Sequence, residues 1–372
     1  MAERIPAGVL TPAPGGQDAT LDRTLAHHRG RRRRFGLAVA LLSVALAVSM
    51  AMAVRLGRLE LSWEVMAHVF LAKLGFAAPA VDRTTEVVVW GIRFSRVLLA
   101  ALVGASLAVA GVVFQGLLLN PLADPFTLGV STGGAFGAAL LVLLGAGGSY
   151  WGLSPLPLGA LAGALGALGV VLLLSREAGR VRKETLILAG IVVSTFLSAL
   201  ISLIKSLDEE SLSAIVFWIM GSFSGRGWVH VGLMLPYALL GAALIAPYAR
   251  ELDILALGEE HSHFLGVAVS RVRLLLLVGG SLLTAGAVAV SGVIGFVGLV
   301  VPHVLRMWLG PAHGRLLVAS ALGGALTLIW ADVVARTLLA SGQELPVGVV
   351  TALLGGPFFF YLLKTRRARG IW

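Results

Sequence analysis

A chain of 372 residues in which 58% of side chains are hydrophobic and only 13% are charged cannot coat itself in polar surface, so lipid must replace water over much of it; its mean hydropathy is +0.92. The net charge of +10 does not indicate a nucleic-acid partner, because the arginines flank apolar runs and form no surface stripe. The absence of cysteine excludes disulfides, thiolate metal sites and cysteine catalysis.

Residues 1–34 read as a disordered, basic, cytoplasmic N-terminal tail, rich in Pro, Gly, Ala and charge and ending in Arg31 to Arg34. The apolar run 35–54 that follows is long enough to cross the hydrocarbon core, and the arginines before it fix its start inside the cell. It has no small-residue cleavage site and reads as a retained span, not a signal peptide. Further runs cover 97–116, 127–145, 155–174, 186–204, 229–249, 274–292, 294–307, 316–338 and 346–363. The sequence therefore predicts an all-α, polytopic bundle of about ten transmembrane helices over residues 35–364, with a basic cytoplasmic tail at 365–372. The apolar stretch 211–221 is too short to span and reads as a partial or re-entrant helix. Ten spans put both termini in the cytoplasm, and 20 of the 29 Lys and Arg then fall on the inside. The segment 108–117 also echoes 289–299, and shared Ala/Val/Gly composition accounts for that echo as well as an internal repeat would.

Four segments are too particular for generic lipid-facing helix. Arg93-Phe-Ser-Arg96 leads through Gly111-Val-Val-Phe-Gln-Gly116 into Asn120-Pro121 and Asp124-Pro125, where each proline disfavours helix in the residue before it and predicts a tight cytoplasmic turn. The segment 255–266 contains Leu255, Leu257, Gly258, Glu259, Glu260, Phe264, Leu265 and Gly266. It is too polar and short to cross, and its apolar residues recur at roughly helical spacing, which predicts an amphipathic cytoplasmic helix or a surface-lying linker. Ser291-Gly-Val-Ile-Gly295-Phe-Val-Gly298-Leu299 continues into Pro302-His303, where His303 reads as packing or capping and not as a metal ligand. Asp332 through Arg336 and Glu344-Leu-Pro346 form the fourth segment.

In this order, the four resemble the FecCD-type permease family, the membrane subunits of type II ABC importers for ferric siderophores, haem and cobalamin. The resemblance covers roughly residues 90–364. This sequence reads Arg93-Phe-Ser-Arg96 where the family usually has Arg-Leu-Pro-Arg, so both arginines are kept. The resemblance implies the type II permease fold as a homodimer in a bacterial inner membrane, with the translocation path between the copies. It implies that 255–266 is the element coupled to an ABC ATPase dimer, and that Arg93, Arg96 and Arg336 receive acidic residues of a periplasmic or lipid-anchored substrate-binding protein. From the residues alone, Arg336 equally pairs with Asp332 one turn away, and an arginine near a span end is commonly an interface anchor.

A phosphate-cradling Gly-x4-Gly-Lys-Ser/Thr loop is absent, since Gly-Lys never occurs. ATP and Mg are therefore expected on a separate ATPase chain, with no catalytic residue, metal or cofactor on this one. An ion-gradient-driven secondary transporter is the alternative. It calls for ionisable groups in mid-membrane, and only Asp332 lies within a predicted span, towards its outer end. An intramembrane enzyme would need a His/Glu or Ser/His constellation inside the spans, and none is evident. Ferric siderophore is the expected cargo, with haem and cobalamin as the other candidates.

Overall fold

A computed structural model describes residues 16–57, 61–77, 79, 81–146, 154–177, 180–207, 212–339 and 343–368. Seven helices are long and apolar enough to cross a membrane: α1 (Gly16–Arg55, with its apolar part at Arg33–Arg55), α3 (Arg83–Leu117), α5 (Leu156–Leu174), α6 (Lys183–Leu207), α8 (Trp228–Leu255), α10 (Val269–Ser291) and α12 (His313–Thr337). Three apolar helices are shorter: α4 (Val130–Leu143), α11 (Val297–Leu309) and α13 (Val347–Ala368, apolar to Tyr361). Together they match the ten predicted runs one for one. Three helices do not span: α2 (Trp63–Lys73), α7 (Leu212–Ile219) and α9 (Glu259–Phe264). A two-residue antiparallel pair, β1 (Arg176–Glu177) with β2 (Arg180–Val181), closes the link between α5 and α6.

Three boundaries differ from expectation. α1 starts at Gly16, inside the tail read as disordered to residue 34; no proline or helix-breaking cluster falls between Gly16 and the span, and Ala, Leu, Gln and Arg carry the helix on. Residues 1–15 and 369–372 lie outside the described ones, and α13 continues through Ala368, past the expected start of the C-terminal tail. α4 is shorter than the run 127–145, because Pro125–Leu128 forms a 3-10 turn and Gly129, in the left-handed region at φ 76°, resets the chain before the helix starts.

The bundle is built around α3 and α10, each with 78% of its most apolar window buried inside the protein, against 17% for α1 and 22% for α8. The central pair is covered by protein, and the outer helices are left to lipid. α3 packs on α12, α10, α11 and α8; α4 packs on α5 and α6. Glycines set these crossings. A methyl on Gly104 would strike the Gly324 carbonyl oxygen of α12, one on Gly111 the Gly298 carbonyl of α11, and one on Gly137 the Gly159 carbonyl of α5. Lipid tails offer no hydrophobic drive for association, so close backbone approach over small residues supplies the packing.

Candidate functional site

One end of the bundle holds the segment 255–266. α8 ends at Leu255, and Gly258 takes φ 101°, a conformation open to glycine, so that α9 turns back along the bundle. Ser262 is fully buried, and its hydroxyl lies 3.1 Å from the Ile254 carbonyl and 2.6 Å from that of Gly258. Glu259 is ion-paired with Arg273 of α10, and Arg273 also donates to the Val181 carbonyl of β2 at 2.8 Å. These contacts fix the turn on the bundle. Its outer face is apolar: Leu257, Phe264 and Leu265 are 61%, 88% and 60% exposed. Beside it, Arg34, Leu257, Met307, Trp308, His313 and Arg315 line a recess of about 620 Å³, with Met307 and Trp308 also exposed. Large apolar side chains presented from a turn held by charged and polar contacts make an exposed apolar patch, which is uncommon on a surface that meets only water.

The turn at Asn120–Pro125 supports the same end. The Asn120 side chain accepts from the Leu122 amide at 2.9 Å, and Asp124 caps the 3-10 turn by accepting from Phe126 N at 3.1 Å. Burial pushes the Asp124 carboxyl up to about 6, against that backbone hydrogen bond, which lowers it. Pro125 packs on Gly298, and Gln115 donates to the Gly298 and Leu299 carbonyls, so the turn and the start of α11 are joined. Gly295 lies near the Phe126 ring, and Pro302 and His303 are buried within α11. Among the described residues no three His, Cys, Asp or Glu side chains could hold a metal.

At the opposite end the three arginines stand elsewhere than expected. Arg93, Arg96 and Arg336 are each more than nine-tenths buried, and so are not an exposed docking surface within this chain. A run of π-helical turns, Val87–Phe94, opens α3 and carries Arg93. Arg93 donates to the Val54 and Arg55 carbonyls at 3.1 and 3.0 Å, and Arg336 donates to the Leu56 carbonyl at 2.7 Å and to that of Ala53. Arg96 grips Asp332 with Nε and Nη2, and reaches Glu344 with Nη1 at 3.1 Å. Asp332 also faces Arg336 across one helical turn at 3.4 Å, the local pair that the spacing allowed. A buried charge holds its place only when paired and hydrogen-bonded, and these partners supply that. The arginines therefore fasten the C-terminal end of α1, α3, α12 and the segment just before α13 to one another. Spacing identified the arginines and the local Asp332–Arg336 pair, but the other partners lie 38 to 283 residues away, and nothing local in the sequence pointed to them.

One cluster escaped the sequence reading. Trp90, Phe94, Phe70 and Trp228 pack with ring centroids 4.9 to 5.8 Å apart, and Trp228 donates to the Trp90 carbonyl at 3.0 Å. It holds α2 against α3 and α8. Three of the four are aromatic residues flanking apolar runs, a belt-like signal that was available in the sequence.

Comparison with known proteins agrees with this architecture. The profile of the FecCD transport family matches residues 43–365. The chain is 44% identical over 327 residues to an uncharacterized ABC transporter permease protein, YvrB, of Bacillus subtilis, covering 87% of this chain and 92% of that one. It is 42% identical over 311 residues to the cobalamin import system permease protein BtuC of Halobacterium salinarum (84% and 82% covered). It is also 42% identical over 291 residues to the hemin transport system permease protein HmuU of Yersinia pestis (75% and 84%). A solved structure of an inward-facing metal-chelate type ABC transporter superposes with a TM-score of 0.75 at 35% identity, covering 88% of this chain and 98% of that one.

Proposed function

The chain belongs to the FecCD transport family of ABC importer permeases, and from that premise we propose that it is the pore-forming half of a homodimeric importer of iron chelates. Two copies enclose the path. A separate ABC ATPase dimer holds ATP and Mg, and a substrate-binding protein delivers the cargo at the outer face. The protein sits in the cell's inner membrane with both termini in the cytoplasm. Ferric siderophore is the proposed cargo; the relatives named for cobalamin and hemin keep the other two chelates in the same class.

The observation that carries this reading is the turn at 255–266: a segment pinned by Ser262 and by the Glu259–Arg273 pair, too short to span, that leaves three large apolar side chains exposed. A transporter driven by an ion gradient has no need of such a surface. It also needs a mobile charge in mid-membrane, and Asp332 is already committed to Arg96 and Arg336. The test is uptake into vesicles containing the permease, its ATPase and its binding protein. Labelled ferric siderophore, haem and cobalamin are supplied with ATP inside. Accumulation that requires ATP and the binding protein supports the reading, and accumulation driven by a proton or sodium gradient without ATP overturns it.

A further inference from the structure

α7 has eight residues and rises only about 12 Å, so the chain at Met220–Gly227 leaves the helix short of a full crossing. A second break, Gly292–Phe296, separates α10 from α11. The two breaks meet: Ser222 N donates to the Ser291 carbonyl at 2.8 Å, and Gly348 N, at the start of α13, donates to the Gly221 carbonyl at 3.3 Å. Irregular backbone near membrane depth is tolerated where it is buried in protein or lines a cavity that water can enter. Here there is such a cavity. Trp218, Ser222, Ser224, Arg226, Ser291 and Glu344 line a recess of about 530 Å³.

The recess has an excess of donors. Arg226 Nε has no partner, and neither has the indole N–H of Trp218, a side chain only 8% exposed. Arg226 Nη1 faces His230 Nε2 at 3.0 Å, while Gly227 N points at His230 Nδ1 at 3.3 Å. A neutral imidazole has one acceptor nitrogen, so the ring satisfies only one of these two donors. Among the described residues no carboxylate pairs with Arg226; Glu344, on the rim, is bound to Arg96. The neighbouring cluster of Arg93, Arg96 and Arg336 with Asp332 and Glu344 counts three cations against two anions, and Arg96 holds Glu344, the member of it that lines the recess.

We propose that this recess is a subsite for a carboxylate carried on the rim of the transported chelate, with Arg226 as its ion-pairing partner and Trp218 and Ser224 as neutral donors. The proposal rests on the permease reading above and adds the chemical class of the cargo's periphery. A charged acceptor satisfies buried donors that a neutral, fully substituted rim leaves unpaired, and a site of this kind discriminates strongly against the ligand lacking the acceptor.

Haem and its dimethyl ester share one macrocycle and differ only in two carboxylates, so they serve as the probe pair. Each is titrated into the full chain in nanodiscs, with quenching of indole fluorescence as the readout and Trp218→Phe to identify the part that comes from the recess. The wild type is expected to bind haem at least about tenfold more tightly than the diester, Arg226→Gln to abolish that preference, and Arg226→Lys to keep part of it. Ser224→Ala, a milder change that leaves the guanidinium in place, is expected to lower the preference about threefold. Equal affinity of the wild type for both probes overturns the proposal. So does a preference that survives Arg226→Gln, or a variant whose only effect is a looser dimer, which would assign Arg226 to the second copy. Uptake in the complete importer separates this result from the parent reading. Absence of the preference in the wild type with ATP-driven uptake intact removes the subsite alone, whereas a wild-type preference without ATP-driven uptake of any chelate removes the permease reading.

Discussion

The two ends of the bundle invert the usual division of polar and apolar groups. At one end, Arg93, Arg96, Arg336 and Asp332 are drawn inside, each bound to a carbonyl or an opposite charge. At the other end, Leu257, Phe264, Leu265, Met307 and Trp308 stand exposed. Buried charge that is paired across helices works as a clamp, and exposed apolar surface is left without a partner inside the chain. Residue type alone suggests the reverse assignment, since arginine reads as surface and leucine as core.

The contrast is tested most severely by Arg96→Leu. If Arg96 is a clamp, the variant leaves Asp332 buried beside Arg336 alone and Glu344 without its partner, at a cost of about 3–5 kcal/mol. Loss of the monodisperse species in detergent, or a large fall in unfolding temperature, is the expected result. The double variant Arg96→Leu with Asp332→Leu removes both charges of the main pair and should recover much of the loss. A single variant as stable as the wild type would return Arg96 to the surface role. At the other end, Leu257→Asp with Leu265→Asp should leave the unfolding temperature nearly unchanged, since exposed sites away from packing move stability by about 0.5 kcal/mol or less. ATP-driven uptake should nonetheless fall severely, because the contact with the ATPase is lost; undiminished uptake would remove the turn from coupling. The smallest effect belongs to Asp124. Its carboxyl is raised to about 6 in the folded chain, against about 3.9 unfolded, so the folded state binds the proton more tightly. Stability from this group is fully present below about pH 4 and is lost as pH rises to about 6. Asp124→Asn should flatten that slope in a plot of unfolding temperature against pH and leave the turn in place.

Much of the architecture was legible because the bilayer imposes a length: each run of about 20 apolar residues announced itself, and all ten have a helix in the structure. The tight turn at Asn120–Asp124 was legible because proline acts on its immediate neighbour. The arginines were found as residues but misplaced as surface, because the period of a helix reports which side chains share a face and not what that face meets. Arg96 and Asp332 are 236 positions apart, and their meeting depends on the crossing set by Gly104 and Gly324. The recess at Arg226 was hidden for a related reason: it exists only where the chain after α7, the break after α10 and the start of α13 come together.

The clamp on α1 also bears on how the protein is made. α1 is made well before α12 and has little of its apolar window covered by protein. The carbonyls of Ala53 and Leu56 at its C-terminal end wait for Arg336, which is translated about 280 residues later. Trp330, on the same late helix, supplies the hydrogen bond to Ser49. α1 is thus fastened in two stages during synthesis: Arg93 of α3 reaches the Val54 and Arg55 carbonyls first, and Arg336 and Trp330 complete the clamp only when α12 arrives.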